Sequence, residues 1–116
     1  MDNEIRKLCD IAEELGWSIY EDDDYIALSF MPDGGEDFSF DIHNIDCIGD
    51  AAREIYDYWQ NYDPDEHTAM WVEAKQNGVR GVPSIRKILE DSDEIDAKLK
   101  ELSERISGEL RKGTFN

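Results

Sequence analysis

The stretch WSIYEDDDYIALSFMPDGGEDFSFDI, residues 17–42, decides the fold. Three runs within it, residues 17–21, 25–30 and 38–42, alternate apolar with polar side chains and are rich in aromatic and β-branched residues. That is the pattern of strands buried on one face. Between the runs stand Asp22-Asp23-Asp24 and Pro32-Asp33-Gly34-Gly35, residue types that favour turns. The stretch predicts a three-stranded antiparallel meander with Ile26, Leu28, Phe30, Phe38, Phe40 and Ile42 turned to a core.

Outward from it, the apolar period changes from two to three and four. Upstream, Ile5, Leu8, Cys9, Ala12 and Leu15 predict a helix over about residues 3–15, stopped at Gly16. Downstream, Ile48, Ala51, Ala52, Ile55, Trp59 and Tyr62 share one face of a helix over about 46–62. Tyr56 and Tyr58 stand at the edges of that face, and Asp50, Glu54, Asp57 and Asn61 lie opposite. Asp63-Pro64-Asp65-Glu66 is a helix start: Asp63 caps, Pro64 occupies the first turn, and Glu66 can reach back. This third helix should run to Asn77, stop at Gly78 and bury Met70, Ala74 and part of Trp71. From Ile85 the apolar residues recur through Ile88, Ile95, Leu99, Leu102 and Ile106, with Ser92 at one seam position. One long C-terminal helix is expected, with Asp91-Ser92-Asp93 as the place where it could break and be capped anew. The order is α-β-β-β-α-α-α, an α+β fold, and 116 residues predict a single domain over 1–116.

Charge is the most informative part of the composition. Twenty-nine acids against twelve bases give −17. Residues 8–74 hold nineteen of the acids and one base, Arg53, whereas residues 75–116 are near neutral, with eight acids and nine bases. Such an excess repels itself in a small domain, and it speaks against direct nucleic-acid binding and against anionic membrane surfaces. No apolar run reaches the ~18 residues of a membrane span, and the N-terminus lacks the pattern of a signal peptide, so the cytoplasm is the expected compartment. Cys9 and Cys47 make neither a disulfide framework nor a zinc site.

Enzymatic chemistry finds little support. Glu21–Asp24 and the group Asp33, Glu36 and Asp37 lack the ligand spacing of a calcium loop and read as solvated hairpin turns. His43 follows Asp41 at strand spacing, so both side chains can share a face; His67 lies in the first turn of the third helix. A metal-dependent enzyme would need the fold to gather His43, His67 and nearby carboxylates, which no spacing requires. Cys9 sits in an apolar stripe, and acidic neighbours oppose thiolate formation at Cys47. The loop at residues 78–84 joins glycines, Arg80 and a helix start, as anion sites do, but lacks the phosphate-loop spacing and reads as a shaped connection. No catalytic residue, metal or cofactor is expected.

The acidic surface remains. A chain of this length should have a radius of gyration near ~13–14 Å and be about 35 Å across. A duplex of that length carries ~20 phosphate charges, the same order as the excess in residues 8–74. An acidic protein of this kind can occupy a basic groove built for nucleic acid. Adaptation to high salt would acidify the whole surface, and solubility needs a net charge of only ~2–8, so neither explains the asymmetry as well.

The segment YDPDEHTAMWVEAKQNGVRGVPSIRKILEDSDEI, within residues 56–106, resembles small acidic proteins of phages and mobile elements of gut bacteria, most specifically through DPDEH, MWVEA and GVPSIR. The resemblance brings no catalytic residues. It implies, by analogy, an inhibitor of host defence of the anti-restriction or anti-CRISPR kind. The expected partner is a basic nucleic-acid-binding protein, a host defence nuclease, contacted by Asp22, Asp23, Asp24, Asp33, Glu36 and Asp37 on hairpin tips and by Glu54 and Asp57 on a helix. A scaffold without inhibitory role is the bland alternative. Strands of five or six residues span only ~17–20 Å. The terminal helix should therefore keep surplus seam, and Ile95, Leu99, Leu102 and Ile106 predict a homodimer.

Overall fold

The computed structural model describes residues 3–32, 38–78 and 85–113. Its elements are α1 (Asn3–Glu14), β1 (Ser18–Glu21), β2 (Ile26–Phe30), β3 (Phe38–Ile42), α2 (Ile48–Asn61), α3 (Pro64–Gln76) and α4 (Ile85–Arg111). The α+β architecture is the expected one. The turn at Pro32-Asp33-Gly34-Gly35 and the loop from Gly78 to Ser84 extend beyond the described residues.

Helix α1 ends where a residue without a Cβ is needed. Gly16 takes φ +99°. Its N–H bonds to Glu13 O, and the Trp17 N–H bonds to Ala12 O at 2.9 Å. These two bonds satisfy the last carbonyls of the helix. A further carbonyl, Leu15 O, accepts from Lys98 Nζ of α4 at 2.6 Å, so the end of the first helix is closed by the last one.

The sheet has the order β1-β2-β3 with both pairs antiparallel. Register sets Ile19 opposite Leu28 and Leu28 opposite Phe40, so these residues face the helices together. Ile26, Leu28, Phe38, Phe40 and Ile42 are buried, and Phe30 packs at the margin. Trp17 sits among this aromatic set, edge-on to Phe30 at 4.8 Å and to Phe40 at 5.5 Å. Tyr58 of α2 stacks on the other side of Phe40 at 4.6 Å. One apolar cluster joins α1, the sheet, Ala51, Ala52 and Ile55 of α2, and the seam of α4.

One expectation is met in full and three are corrected. The single long helix is found: α4 runs unbroken through Ser92. Ser92 is buried and its hydroxyl shares a 2.9 Å hydrogen bond with Thr68 of α3, so the packing of α3 on α4 takes the side chain that would have capped a new helix. Met70 of α3 is 63% exposed rather than buried, because α3 meets α4 through a different face; the side chains of Trp71 and Ala74 lie outside the description. The long helix stretches the molecule to 50 × 27 × 22 Å with a radius of gyration of 15.5 Å, longer than its chain length suggests. Lastly, Ile95, Leu99, Leu102 and Ile106 are at most 1% exposed within one chain. Helices α1 and α2 cover the seam that the small sheet cannot reach, so these side chains are not available to a second copy.

Candidate functional site

The β1–β2 turn ends the sheet. Its backbone closes through Asp22 N–H to Tyr25 O at 2.9 Å, which leaves the side chains of Asp22, Asp23 and Asp24 in solvent. The loop from His43 to Cys47 leaves β3 beside it, and Glu21, Asp22, Asp23 and Ile45 border a shallow cavity of about 270 Å³.

Asp57 is exposed on the outer face of α2. Glu54, expected on the same partner-facing surface, does different work. Its Oε1 accepts from the His43 N–H at 2.8 Å, and its Oε2 accepts from the Asn44 N–H at 3.0 Å and from Asn44 Nδ2 at 2.6 Å. Three donors on one carboxylate tie the loop after β3 to α2, so Glu54 holds the site together and is not free to meet a partner. Asp33, Glu36 and Asp37 lie outside the described residues.

Asp63 Oδ1 accepts from the Asp65 N–H at 2.9 Å and the Glu66 N–H at 3.3 Å, the cap expected at the start of α3. Together with Glu66, Tyr58, Asn61, Tyr62 and Met70 it borders a second cavity of about 270 Å³.

Electrostatics separates the two halves of the chain. Among the described residues, none of the acids in residues 21–73 forms an ion pair. Three cations of α4, and Lys112 just past its end, are committed elsewhere: Arg86 to Glu90, Lys98 to Leu15 O and Glu101, Arg105 to Glu14 and Glu109, and Lys112 to Glu109. The field is registered by neighbouring groups. Burial, Asp22, Tyr20 and Asp41 push the Tyr25 hydroxyl above its ordinary value. Burial and then Asp41 do the same to Tyr58. Cys9 is pushed up to about 11, first by burial and then by Glu21, Asp10 and Glu13, so at neutral pH it is an inert thiol.

No metal arrangement is assembled among the described residues: no three His, Cys, Asp or Glu side chains converge. His43 is exposed and lies against Tyr25, with ring centroids 5.9 Å apart. The side chain of His67 is outside the description. Cys47 is exposed at the start of α2 and makes no capping bond. None of the described helices is long and apolar enough to cross a membrane.

What sequence reasoning missed is an aromatic row. Tyr20, Tyr25 and His43 point away from the core on the outer face of the sheet, with Tyr20 60% exposed and 6.4 Å from Tyr25. Strand alternation turns each of them outward, next to an inward residue (Ile19, Ile26 and Ile42), but only the register brings them together across strands.

Compared with known proteins, the chain matches no family model, no curated protein and no solved structure.

Proposed function

We propose that this protein is a non-enzymatic acidic inhibitor that occupies the basic nucleic-acid groove of a host defence nuclease. The observation carrying the reading is the set of carboxylates in residues 21–73, which no described cation of the same chain neutralises. Charge left unpaired at a cost in self-repulsion is charge available to an oppositely charged partner. The resemblance of residues 56–106 to small acidic phage and mobile-element proteins supplies the defence context. Over its 50 Å length the net charge of −17 is one per about 3 Å, roughly half the density of a duplex at one per ~1.7 Å. The mimicry is therefore concentrated where the acids are, at the β1–β2 turn and along the outer face of α2. With Glu54 committed to its loop, the contacting acids become Asp22, Asp23, Asp24 and Asp57, joined by Asp33, Glu36 and Asp37.

The test is competition. The protein is titrated against purified restriction and Cas effectors carrying a labelled nucleic acid, and bound label is read by fluorescence anisotropy. At least one effector should release its nucleic acid. The inhibition should weaken as salt rises, and replacing Asp22, Asp23 and Asp24 by lysine should weaken it about tenfold or more. Undisturbed binding in every effector, or inhibition indifferent to salt and to charge reversal, overturns the reading.

A further inference from the structure

The outer face of the sheet at its turn end is more than acidic. Register places Tyr20, Ala27 and Asp41 side by side across the three strands. One row further toward the turn, Asp22 faces Tyr25 through its backbone bond, and His43 lies 5.9 Å from the Tyr25 ring. Ala27 is the small residue between Tyr20 and Asp41, and the Tyr25 ring centroid lies 6.4 Å from that of Tyr20. Asp22 and Asp41 are near enough to disturb the Tyr25 hydroxyl. The arrangement thus offers two adjacent aromatic rings, Tyr20 exposed and Tyr25 half-buried, with carboxylates beside them to which no described cation of this chain is paired.

We propose that this face is a platform for an arginine side chain of the protein partner, with the guanidinium laid across Tyr20 and Tyr25 and paired with Asp22 and Asp41. The inference rests on the acidic-inhibitor reading and sharpens it from charge to side-chain identity. A guanidinium is planar and weakly hydrated; it stacks on a ring while its N–H edge meets a carboxylate. A lysine ammonium has the charge without the plane, and a nucleic acid has the wrong sign. Exposed tyrosines and arginine are also the residues that concentrate binding energy at protein interfaces.

Two short peptides of equal length and charge, one of alternating arginine and glycine and one of alternating lysine and glycine, provide the test by calorimetry. The whole protein should bind the arginine peptide about fivefold more tightly. The ratio should persist as added salt weakens both, since stacking is not screened as the net charge is. Nuclear Overhauser contacts should run from arginine side-chain protons to the Tyr20 and Tyr25 rings. Tyr20→Ser with Tyr25→Ser should bring the two peptides to equal affinity, and Tyr25→Phe should keep the preference. Both tyrosines face away from the core, so circular dichroism should show these variants folded. Tyr20→Ser, altering the more exposed ring alone, should still reduce the ratio. Equal salt-dependent affinities in the unaltered protein, or a preference that survives loss of both rings, overturns the platform and leaves the acidic-surface reading standing. If neither peptide binds at low salt, both fall.

Discussion

Helix α4 and residues 21–73 handle charge in opposite ways. Along α4 and just past its end, acids and bases fall three and four apart and pair on the surface: Arg86 with Glu90, Lys98 with Glu101, and Arg105 and the following Lys112 with Glu109. In residues 21–73 the described acids have no such partners. Each exposed pair contributes only about 0–1 kcal/mol, so α4 gains little stability from its arrangement. The comparison shows that balanced charge was open to this chain and was used along the helix whose seam runs through the core. The acid excess is thus a property of the surface, separable from the seam that holds the fold. Four measurements break or sharpen that separation.

The largest effect should come from the seam. Leu99→Ala should cost about 3–4 kcal/mol in denaturant unfolding, a large share of the ~5–15 kcal/mol typical of a domain. Leu102→Glu, which leaves a carboxylate unpartnered in an apolar interior, should unfold the protein outright. Sedimentation of the unaltered protein at micromolar concentration should show a monomer. A dimer that Leu102→Glu splits into folded monomers would show that the seam serves two chains.

Alkaline pH comes next. The folded protein holds the Cys9 proton up to about 11, while the unfolded chain releases it near 9.0. Below pH 9 this makes no difference to stability. From pH 9 to 11 the unfolded state binds fewer protons, and stability should fall by about 2–3 kcal/mol. Cys9→Ala should remove most of that slope; the raised hydroxyl of Tyr58 adds a smaller loss in the same direction above its ordinary value of 10.0. A thiol reagent at neutral pH should label Cys47 and leave Cys9 untouched until the protein unfolds.

Glu54 tests whether an acid in residues 21–73 can belong to the fold after all. Glu54→Ala should cost about 1.5 kcal/mol and speed hydrogen exchange at the His43 and Asn44 amides, because three donors lose one charged acceptor. Asp57→Ala, one turn on and exposed, should change neither.

The smallest effect is the most diagnostic of the comparison. Replacing Asp22, Asp23 and Asp24 together by asparagine should stabilise the protein by about 0.5 kcal/mol or less at low ionic strength. The gain should fade at 0.15 M salt, where the screening length is ~8 Å. Glu101→Gln, which loses its pair with Lys98, should shift stability slightly the other way.

Much of the fold was legible because local periods and turns agree with it. The alternation in residues 17–42, the Asp63 cap and the three-four seam of α4 all appear as read. What escaped was non-local. Ser92 has the chemistry of a cap, and only the approach of Thr68 from α3 decides that it becomes an interior residue. The period of α3 allows Met70 inward but cannot say which neighbour stands there. Glu54 looks like any acid on a polar helix face until the loop after β3 folds onto it. The surplus on the seam followed from setting α4 against the sheet, whereas its actual cover is other helices. At the candidate surface, the hairpin-tip acids were visible from turn chemistry. The aromatic row was not, since nothing in a strand's alternation announces that its outward residues line up with those of the next strand.

The bond from Lys98 to Leu15 O carries a consequence in time. It spans 83 residues, and the helix it closes is made well before α4. At ~5–20 residues per second, synthesis from the one partner to the other takes about 4–17 s. Throughout that interval the apolar side of α1 and the inner side of the meander have no α4 to lie against. A pairing this distant in sequence means that the packing of α1 and the meander with α4 is completed late. Truncation before residue 98 should therefore yield an aggregating chain rather than a smaller stable one, because the apolar faces of α1 and the meander would then have no α4 to lie against.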